Sequence, residues 1–187
     1  MLDRSKYMDE AEIEQLVKSC REWESNDLRY GKLAGIKIWL LVDVALSTGL
    51  RVAELANLQA ADFDAKQRSL KVVRVKKKKK VAETLPISKD LADHLKTYLN
   101  GRKTGTIFGV SRATLQQQFH SAINHAHLPK ALSIHSCRHS LAVRLLKATG
   151  NLRLVQLQLG HSSPQTTAIY ADIAFADRQA ALDKLNE

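Results

Sequence analysis

Residues 133–139 read Ser-Ile-His-Ser-Cys-Arg-His, and they predict the start of a helix that carries two functional side chains. Ser133 suits the N-cap position, because its hydroxyl can accept a hydrogen bond from a backbone N–H of the first turn. His135 and Arg138 lie one helical turn apart and therefore project from the same face. The apolar side chains that anchor this helix, predicted over 134–148, are Leu141, Val143, Leu145 and Leu146. The stretch thus presents an imidazole and a guanidinium together.

Two further segments extend this set of polar side chains. Upstream, residues 48–55 read Thr-Gly-Leu-Arg-Val-Ala-Glu-Leu. The Thr-Gly pair breaks the chain before Arg51, which we expect near a helix start, where backbone N–H groups also favour anions. Downstream, Leu-Gly-His ends at His161 and is followed by Tyr170. The sequence therefore supplies two guanidinium groups, two imidazoles and one phenol in separate segments.

These side chains match the needs of a tyrosine that attacks a phosphodiester. Arginine stays protonated and can hold two non-bridging oxygens with its planar fork. Such electrostatic stabilisation is usually the largest catalytic contribution. A tyrosine has a pKa of about 10 in water, so a neighbouring histidine would assist its deprotonation. A lysine with a lowered pKa could protonate the leaving oxygen.

The order and spacing of these segments resemble the tyrosine recombinase family, of the phage-integrase and Xer-like type, over about residues 8–180. Members share Arg, Lys, His-x-x-Arg, Leu-Gly-His and Tyr in this order. The resemblance implies that the catalytic residues are Arg51, Lys78, His135, Arg138, His161 and Tyr170. It also implies structural or orienting roles for Glu54 and Asp62, and support of the fold by His139. Taken singly, each residue has an ordinary structural explanation. Such explanations do not require the whole set or its order, so the joint pattern favours a shared function.

The lysine assignment depends on counting within a predicted hairpin. Lysines run without a break from Lys76 to Lys80, between the Val-Val-Arg-Val and Leu-Pro-Ile strands. Counting from either strand points to Lys78, while Lys77 and Lys79 remain candidates. The flanking lysines are expected to bind DNA: Lys76, Lys77, Lys79 and Lys80.

The resemblance also implies a reaction and its partners. Tyr170 would attack a phosphorus of double-stranded DNA and form a 3′-phosphotyrosyl bond, with no metal or other cofactor. The family further implies a homotetramer on DNA. Two alternatives stay open: DNA relaxation like that of a type IB topoisomerase, and a non-catalytic DNA-binding regulator.

The expected fold is mainly α with a small antiparallel β-sheet, which is the tyrosine recombinase catalytic-domain (DNA breaking-rejoining enzyme) fold. One such domain would occupy 1–187, without the family's N-terminal core-binding domain, and 171–187 would form a tail helix suited to exchange between subunits. The other predicted helices cover 10–23, 32–46, 51–58, 88–99, 111–126, 152–159 and 174–185, with a helix around Tyr170, and the predicted strands cover 69–75 and 81–87.

Composition agrees with a DNA-binding protein and excludes other classes. The net charge is +10, and 44% of the residues are hydrophobic, so the chain can build a core and favours a polyanionic partner. The longest apolar stretch, 36–46, is too short to cross a bilayer. Two cysteines form no disulfide framework, which favours a cytoplasmic, nucleoid-associated location. A zinc site is a weak alternative, because its candidate ligands lack a standard spacing: His125, His127, Cys137 and His139.

Overall fold

A computed structural model describes residues 3–76, 79–160 and 170 of the chain. The helices within these ranges are α1 (Glu10–Arg29), α2 (Ala34–Thr48), α3 (Val52–Asn57), α4 (Lys89–Leu99), α5 (Arg112–His125), α6 (Ile134–Thr149) and α7 (Leu152–Leu159). The strands are β1 (Phe63–Asp64), β2 (Ser69–Lys76) and β3 (Lys79–Pro86), and short 3-10 turns cover Arg4–Lys6 and Ala60–Asp62. The fold is therefore mainly α with a small antiparallel sheet, as predicted.

Helix α2 lies at the centre of the core. Its side chains from Ile38 to Leu46 are buried, apart from Asp43, because α1, α4, α5 and α6 all pack against it. A helix that is apolar on nearly all sides needs such surroundings. Helix α2 ends at Gly49, whose φ of 65° is readily adopted only by glycine. This end of α2 faces the helices that carry the predicted site residues.

Side-chain caps fix where several helices begin. The Asp9 carboxylate accepts from the Glu12 backbone N–H at 2.9 Å, and Glu12 accepts from the Asp9 N–H at 2.9 Å. This reciprocal pair is a capping box. Ser88 and Ser111 cap α4 and α5 through backbone N–H groups of Leu91 and Thr114. These caps place the starts of α1, α4 and α5 within one residue of the predicted starts.

The sheet has the order β1-β2-β3, with all neighbours antiparallel. Phe63 pairs with Leu70, and Leu70 pairs in turn with Leu85. At the far end of the hairpin Lys76 pairs with Lys79. The lysine-rich tip therefore lies at the end of the hairpin that is remote from its buried base.

Two features of the fold differ from the sequence prediction. The first helix was predicted to end at residue 23, but α1 continues to Arg29, because Asp27 is buried and accepts a hydrogen bond from the Gly35 N–H at 2.8 Å. Strand β1 was not predicted, since two residues give no alternating pattern. The helices predicted around Tyr170 and over 174–185, and the tail 171–187, lie outside the described residues.

Candidate active site

Arg51 stands at the N-cap of α3 with its side chain fixed by Glu54. The Arg51 Nη1 donates to Glu54 Oε1 at 3.0 Å, and the Arg51 backbone N–H donates to Glu54 Oε2 at 2.8 Å. The Arg51 side chain is 45% exposed, whereas that of Glu54 is only 7% exposed. The buried Glu54 carboxylate therefore orients the Arg51 side chain and leaves its guanidinium accessible to an anion.

Arg138 joins three parts of the fold from within the core. Its Nη1 donates to the Gly49 carbonyl at 2.7 Å, just after α2, and its Nη2 donates to the Leu159 carbonyl at 2.8 Å, at the end of α7. The residue is only 2% exposed. Burial, followed by the positive charge of Arg51, lowers the pKa of Arg138 to about 10, so the guanidinium stays protonated at neutral pH.

A third arginine, Arg74 on β2, lies beside this pair, and sequence reasoning gave it no role. It is 1% exposed, with Nη1 3.2 Å from Glu83 Oε2 and Nη2 donating to the Gln158 carbonyl at 2.9 Å. A signal was present in the sequence, because Leu70, Val72 and Arg74 share one strand face. A charged side chain on the same strand face as two core residues is unusual, because charged residues are rarely buried unless they have a specific partner.

The three guanidinium groups act on one another electrostatically. The charges of Arg51 and Arg74 both lower the pKa of Arg138, while the carboxylate of Glu54 raises it. Arg51 likewise lowers the pKa of Arg74, although burial is the larger cause. Such mutual repulsion would be relieved by a bound anion. The cluster therefore suits a phosphate better than a neutral ligand.

His135 lies at the mouth of the same site. It lines a cleft together with Arg51 and with Gln116 and His120 of α5, two residues that sequence reasoning did not single out. His135 is exposed, yet desolvation by its neighbours, followed by the charges of Arg138 and Arg51, lowers its pKa. The ring is therefore held neutral, in the form that can accept a proton.

Tyr170 contacts a histidine that we expected only to support the fold. Its hydroxyl lies 2.7 Å from Nδ1 of His139, and the His139 ring meets that of His135 edge-on at 4.6 Å between centroids. Tyr170 is 1% exposed, and burial raises its pKa to about 12, opposed by the nearby charge of Arg138. Burial, followed by the charge of His135, lowers the pKa of His139 to about 4. A neutral phenol thus meets a neutral imidazole.

The remaining predicted site residues divide into two groups. The carboxylate of Asp62 accepts from the Gln59 N–H at 2.8 Å, which shapes the turn before β1, and Lys79 and Lys80 are exposed on β3. Lys77, Lys78 and His161 lie outside the described residues, as does the side chain of Lys76. The structure thus brings together Arg51, His135, Arg138 and Tyr170 from the predicted catalytic set.

Two of the four candidate zinc ligands have other partners. The His125 ring stacks on Trp23 and bonds Ser19, and His139 bonds Tyr170. Among the described residues, no three His, Cys, Asp or Glu side chains are grouped so as to hold a metal ion. In the same part of the chain, no helix has both the length and the apolar character needed to cross a bilayer.

Comparison with known proteins identifies the family. The profile described as "Phage integrase family" matches residues 6–177. The chain belongs to the phage integrase family. The membership inferred from the catalytic segments is therefore confirmed, and the match covers every residue of the predicted site.

Individual proteins similar to this phage integrase family domain are tyrosine recombinases. It is 31% identical over 188 residues to the tyrosine recombinase XerD of Pseudomonas putida, covering 93% of this chain and 59% of that protein. It is 25% identical to the tyrosine recombinase XerC of Chlamydia pneumoniae, covering 76% of this chain and 49% of the relative. The chain thus spans about half the length of these relatives.

Solved structures support the same fold. The catalytic domain of bacteriophage HP1 integrase is 25% identical with a TM-score of 0.66, and the match covers 95% of this chain and 93% of that one. The XerA recombinase gives a TM-score of 0.73 at 24% identity, covering 94% of this chain and 64% of that one. The fold of this phage integrase family domain is that of tyrosine recombinase catalytic domains, as predicted.

Proposed function

We propose that the chain is the catalytic domain of a site-specific DNA recombinase that breaks and rejoins DNA through a 3′-phosphotyrosyl intermediate. The observation that carries this proposal is the convergence of Arg51 and Tyr170 on Arg138: the three are far apart in sequence, yet both partners lie within electrostatic reach of the Arg138 guanidinium. Membership of the phage integrase family supports strand cleavage by a tyrosine as the chemistry of this arrangement.

The two arginines would hold the scissile phosphate. Arg51 offers an accessible guanidinium, and Arg138 offers one fixed by two backbone carbonyls. A fixed cation needs no reorganisation as negative charge builds on the non-bridging oxygens, so it stabilises the transition state more than the ground state. Glu54 contributes by orienting Arg51.

Tyr170 would attack the phosphorus once the hydrogen bond between its hydroxyl and His139 is broken. The phenol oxygen forms the new P–O bond, and its proton passes to a base. His135 is the better base of the two histidines, because it is exposed in the cleft beside Arg51, whereas the pKa of about 4 makes His139 a weak acceptor. We assign His139 to holding the phenol before reaction.

The leaving group completes the cycle. The P–O5′ bond breaks, and the departing oxygen takes a proton from Lys78, while His161 donates to a phosphate oxygen. A 5′-hydroxyl from another strand then displaces the tyrosine and restores a phosphodiester. The covalent bond conserves the energy of the broken link, so the chemistry requires neither nucleotide nor metal. Double-stranded DNA as partner agrees with the net charge of +10, and a tetramer on DNA follows from the family resemblance.

Covalent trapping tests the proposal. The chain is incubated with nicked duplexes that lose the 5′-hydroxyl strand after cleavage, drawn from the DNA flanking its coding sequence and from a pool with a randomised core. Wild type should give a protein–DNA band that resists SDS, and Tyr170→Phe should give none. Tyr98→Phe on α4 removes a hydroxyl away from the site and should keep the band.

Two outcomes would count against the proposal. Absence of a band with every duplex would exclude strand cleavage and favour a DNA-binding regulator. A band accompanied by plasmid relaxation, but by no joined products when two sites are supplied, would favour a relaxing enzyme over a recombinase.

A further inference from the structure

Arg74 connects the β2–β3 hairpin to the end of α7. Its Nη2 donates to the Gln158 carbonyl at 2.9 Å, and its guanidinium lies against Gly160, where an added Cβ would come within 1.5 Å of Nη1. Gly160 has a φ of 64° and ends α7. No other residue type leaves space for this side chain, so the guanidinium and the glycine form a fitted contact.

Among its described residues, the outer half of the hairpin has few other attachments. At its base Leu70, Val72 and Leu85 are buried. Beyond the Val72–Glu83 pair, Arg74 is the only buried side chain among the described residues of the two strands. The described side chains there that are exposed are Val73, Lys79, Lys80, Val81 and Ala82. Within the described part of this half, Arg74 is therefore the main attachment to the body of the protein.

The end of α7, by contrast, has independent anchors. Leu159 is fully buried, and its Cδ2 lies 2.8 Å from the position that a Cβ on Gly49 would occupy. Its carbonyl also accepts from Arg138 at 2.8 Å. Loss of Arg74 should therefore release the hairpin and leave α7 in place.

Stability does not explain why this position is an arginine. Arg74 is 1% exposed, and its Nε has no hydrogen-bond partner among the residues that the structure describes. Burying a charge with an unpartnered N–H is costly, and an apolar side chain of similar length often serves stability equally well. What the guanidinium adds is a directional link between a strand and a helix end.

We propose that Arg74 is a positioning residue, which holds the outer hairpin so that a lysine of its tip reaches the leaving 5′ oxygen. This inference rests on the proposed function. In this role Arg74 acts through the backbone of β2, and the lysine supplies the proton.

A sulfur-substituted substrate tests the inference. In one nicked duplex the bridging 5′ oxygen is retained, and in a matched duplex sulfur replaces it. A thiolate leaves without being protonated, because thiols have a pKa of about 8.5. A defect that acts through the general acid should therefore disappear with sulfur, and a defect in phosphate binding or in Tyr170 should persist.

Arg74→Met should cleave the oxygen duplex about 100-fold more slowly than wild type, as expected for a misplaced catalytic group. With the sulfur duplex its rate should return to within about 3-fold of wild type. Lys78→Ala should show the same rescue. Arg74→Lys should lie between wild type and Arg74→Met, since an ammonium lacks the planar fork. Lys71→Met removes a cation from the opposite face of β2 and should cleave both duplexes normally.

Amide hydrogen exchange in the free protein gives a readout that needs no DNA. In Arg74→Met the outer strands, residues 73–76 and 79–82, should exchange faster than in wild type, while α7 should be unchanged. Gly160→Ala should have the same effect, since its Cβ would occupy the place of the guanidinium.

Three results would overturn the inference. They are equal rates for Arg74→Met and wild type with oxygen, an equal loss with both duplexes, and unchanged exchange in the hairpin. A wild-type chain that cleaves neither duplex would instead refute the proposed function. The exchange measurement would then test only whether Arg74 holds the outer hairpin against the end of α7.

Discussion

The hydroxyl of Tyr170 lies 2.7 Å from Nδ1 of His139, inside the protein. Tyr170 packs in a small apolar cluster that includes Leu146, Val155 and Leu159 and leaves it 1% exposed. The phenol oxygen is therefore both hydrogen-bonded and shielded. In this arrangement it is a weak nucleophile, and the proposed attack on a DNA phosphate would require its hydrogen bond to His139 to break.

The first prediction concerns the ionisation of Tyr170 in the free protein. Burial raises its pKa to about 12, so its ring should stay neutral throughout the range in which an exposed tyrosine ionises, near pH 10. Labelling the tyrosine Cζ atoms with carbon-13 and titrating by NMR measures this directly. Tyr170→Phe identifies the resonance, and a Tyr170 signal that titrates at pH 10 or below would contradict the buried arrangement.

The second prediction concerns the structural part that Arg138 plays. Arg138→Met removes the donors to the Gly49 and Leu159 carbonyls, so it should lower the free energy of unfolding by about 2 kcal/mol. Urea denaturation measures the change. Arg112→Met on the exposed face of α5 is the matched control and should stay within about 0.5 kcal/mol of wild type. An equally stable Arg138→Met protein would show that these carbonyls do not depend on the arginine.

A third prediction follows from His139. Its pKa is about 4 in the folded protein and about 6.5 when unfolded, so between these values the unfolded chain binds the extra proton. The stabilisation from neutral His139 is complete above pH 6.5 and is lost as the pH falls towards 4. The desolvated ring of His135 adds to the same trend.

Denaturation at a series of pH values tests this linkage. Stability should fall between pH 7 and pH 4, and the fall should be shallower in His139→Gln, which cannot take up the proton. An identical slope in the variant and in wild type would remove His139 from the explanation.

The fourth prediction concerns Gly49, which lies between α2 and Arg51. An alanine there would adopt a φ of 65° and place its Cβ 2.8 Å from Leu159 Cδ2, so Gly49→Ala should cost about 1–2 kcal/mol. Thermal unfolding checks this cost. Gly109→Ala has a similar φ of 67° but no neighbour within 4 Å, and should cost less. Equal costs would mean that strain alone, and not packing on Leu159, determines the effect.

Much of the fold could be predicted because local signals were strong. Ser133 stands at the predicted N-cap, and α4 and α5 begin within one residue of their predicted starts. Gly49 follows α2 at the predicted Thr-Gly break, and Gly160 follows the predicted last residue of α7. The hairpin was evident from its alternating strands. These features depend on neighbours in sequence, and the residues themselves encode them.

The parts that could not be predicted depend on tertiary contacts. Asp27 extends α1 because it meets Gly35 of the next helix, and no local signal announces that bond. His139 follows Arg138 directly, yet only the packing of Tyr170 makes it the partner of the phenol. The contact between Arg74 and Gly160 joins residues far apart along the chain, and no local pattern predicts it. Sequence patterns suggested the reacting groups that we propose, and long-range packing determines how those side chains are held.

Identifying the residue that becomes linked to DNA tests the central claim most directly. The trapped covalent complex is digested with trypsin and nuclease, and the modified peptide is sequenced by mass spectrometry. We predict a 3′-linked nucleotide on Tyr170. Attachment to any other residue, or a modified peptide that persists in Tyr170→Phe, would contradict the proposal that this buried phenol is the nucleophile.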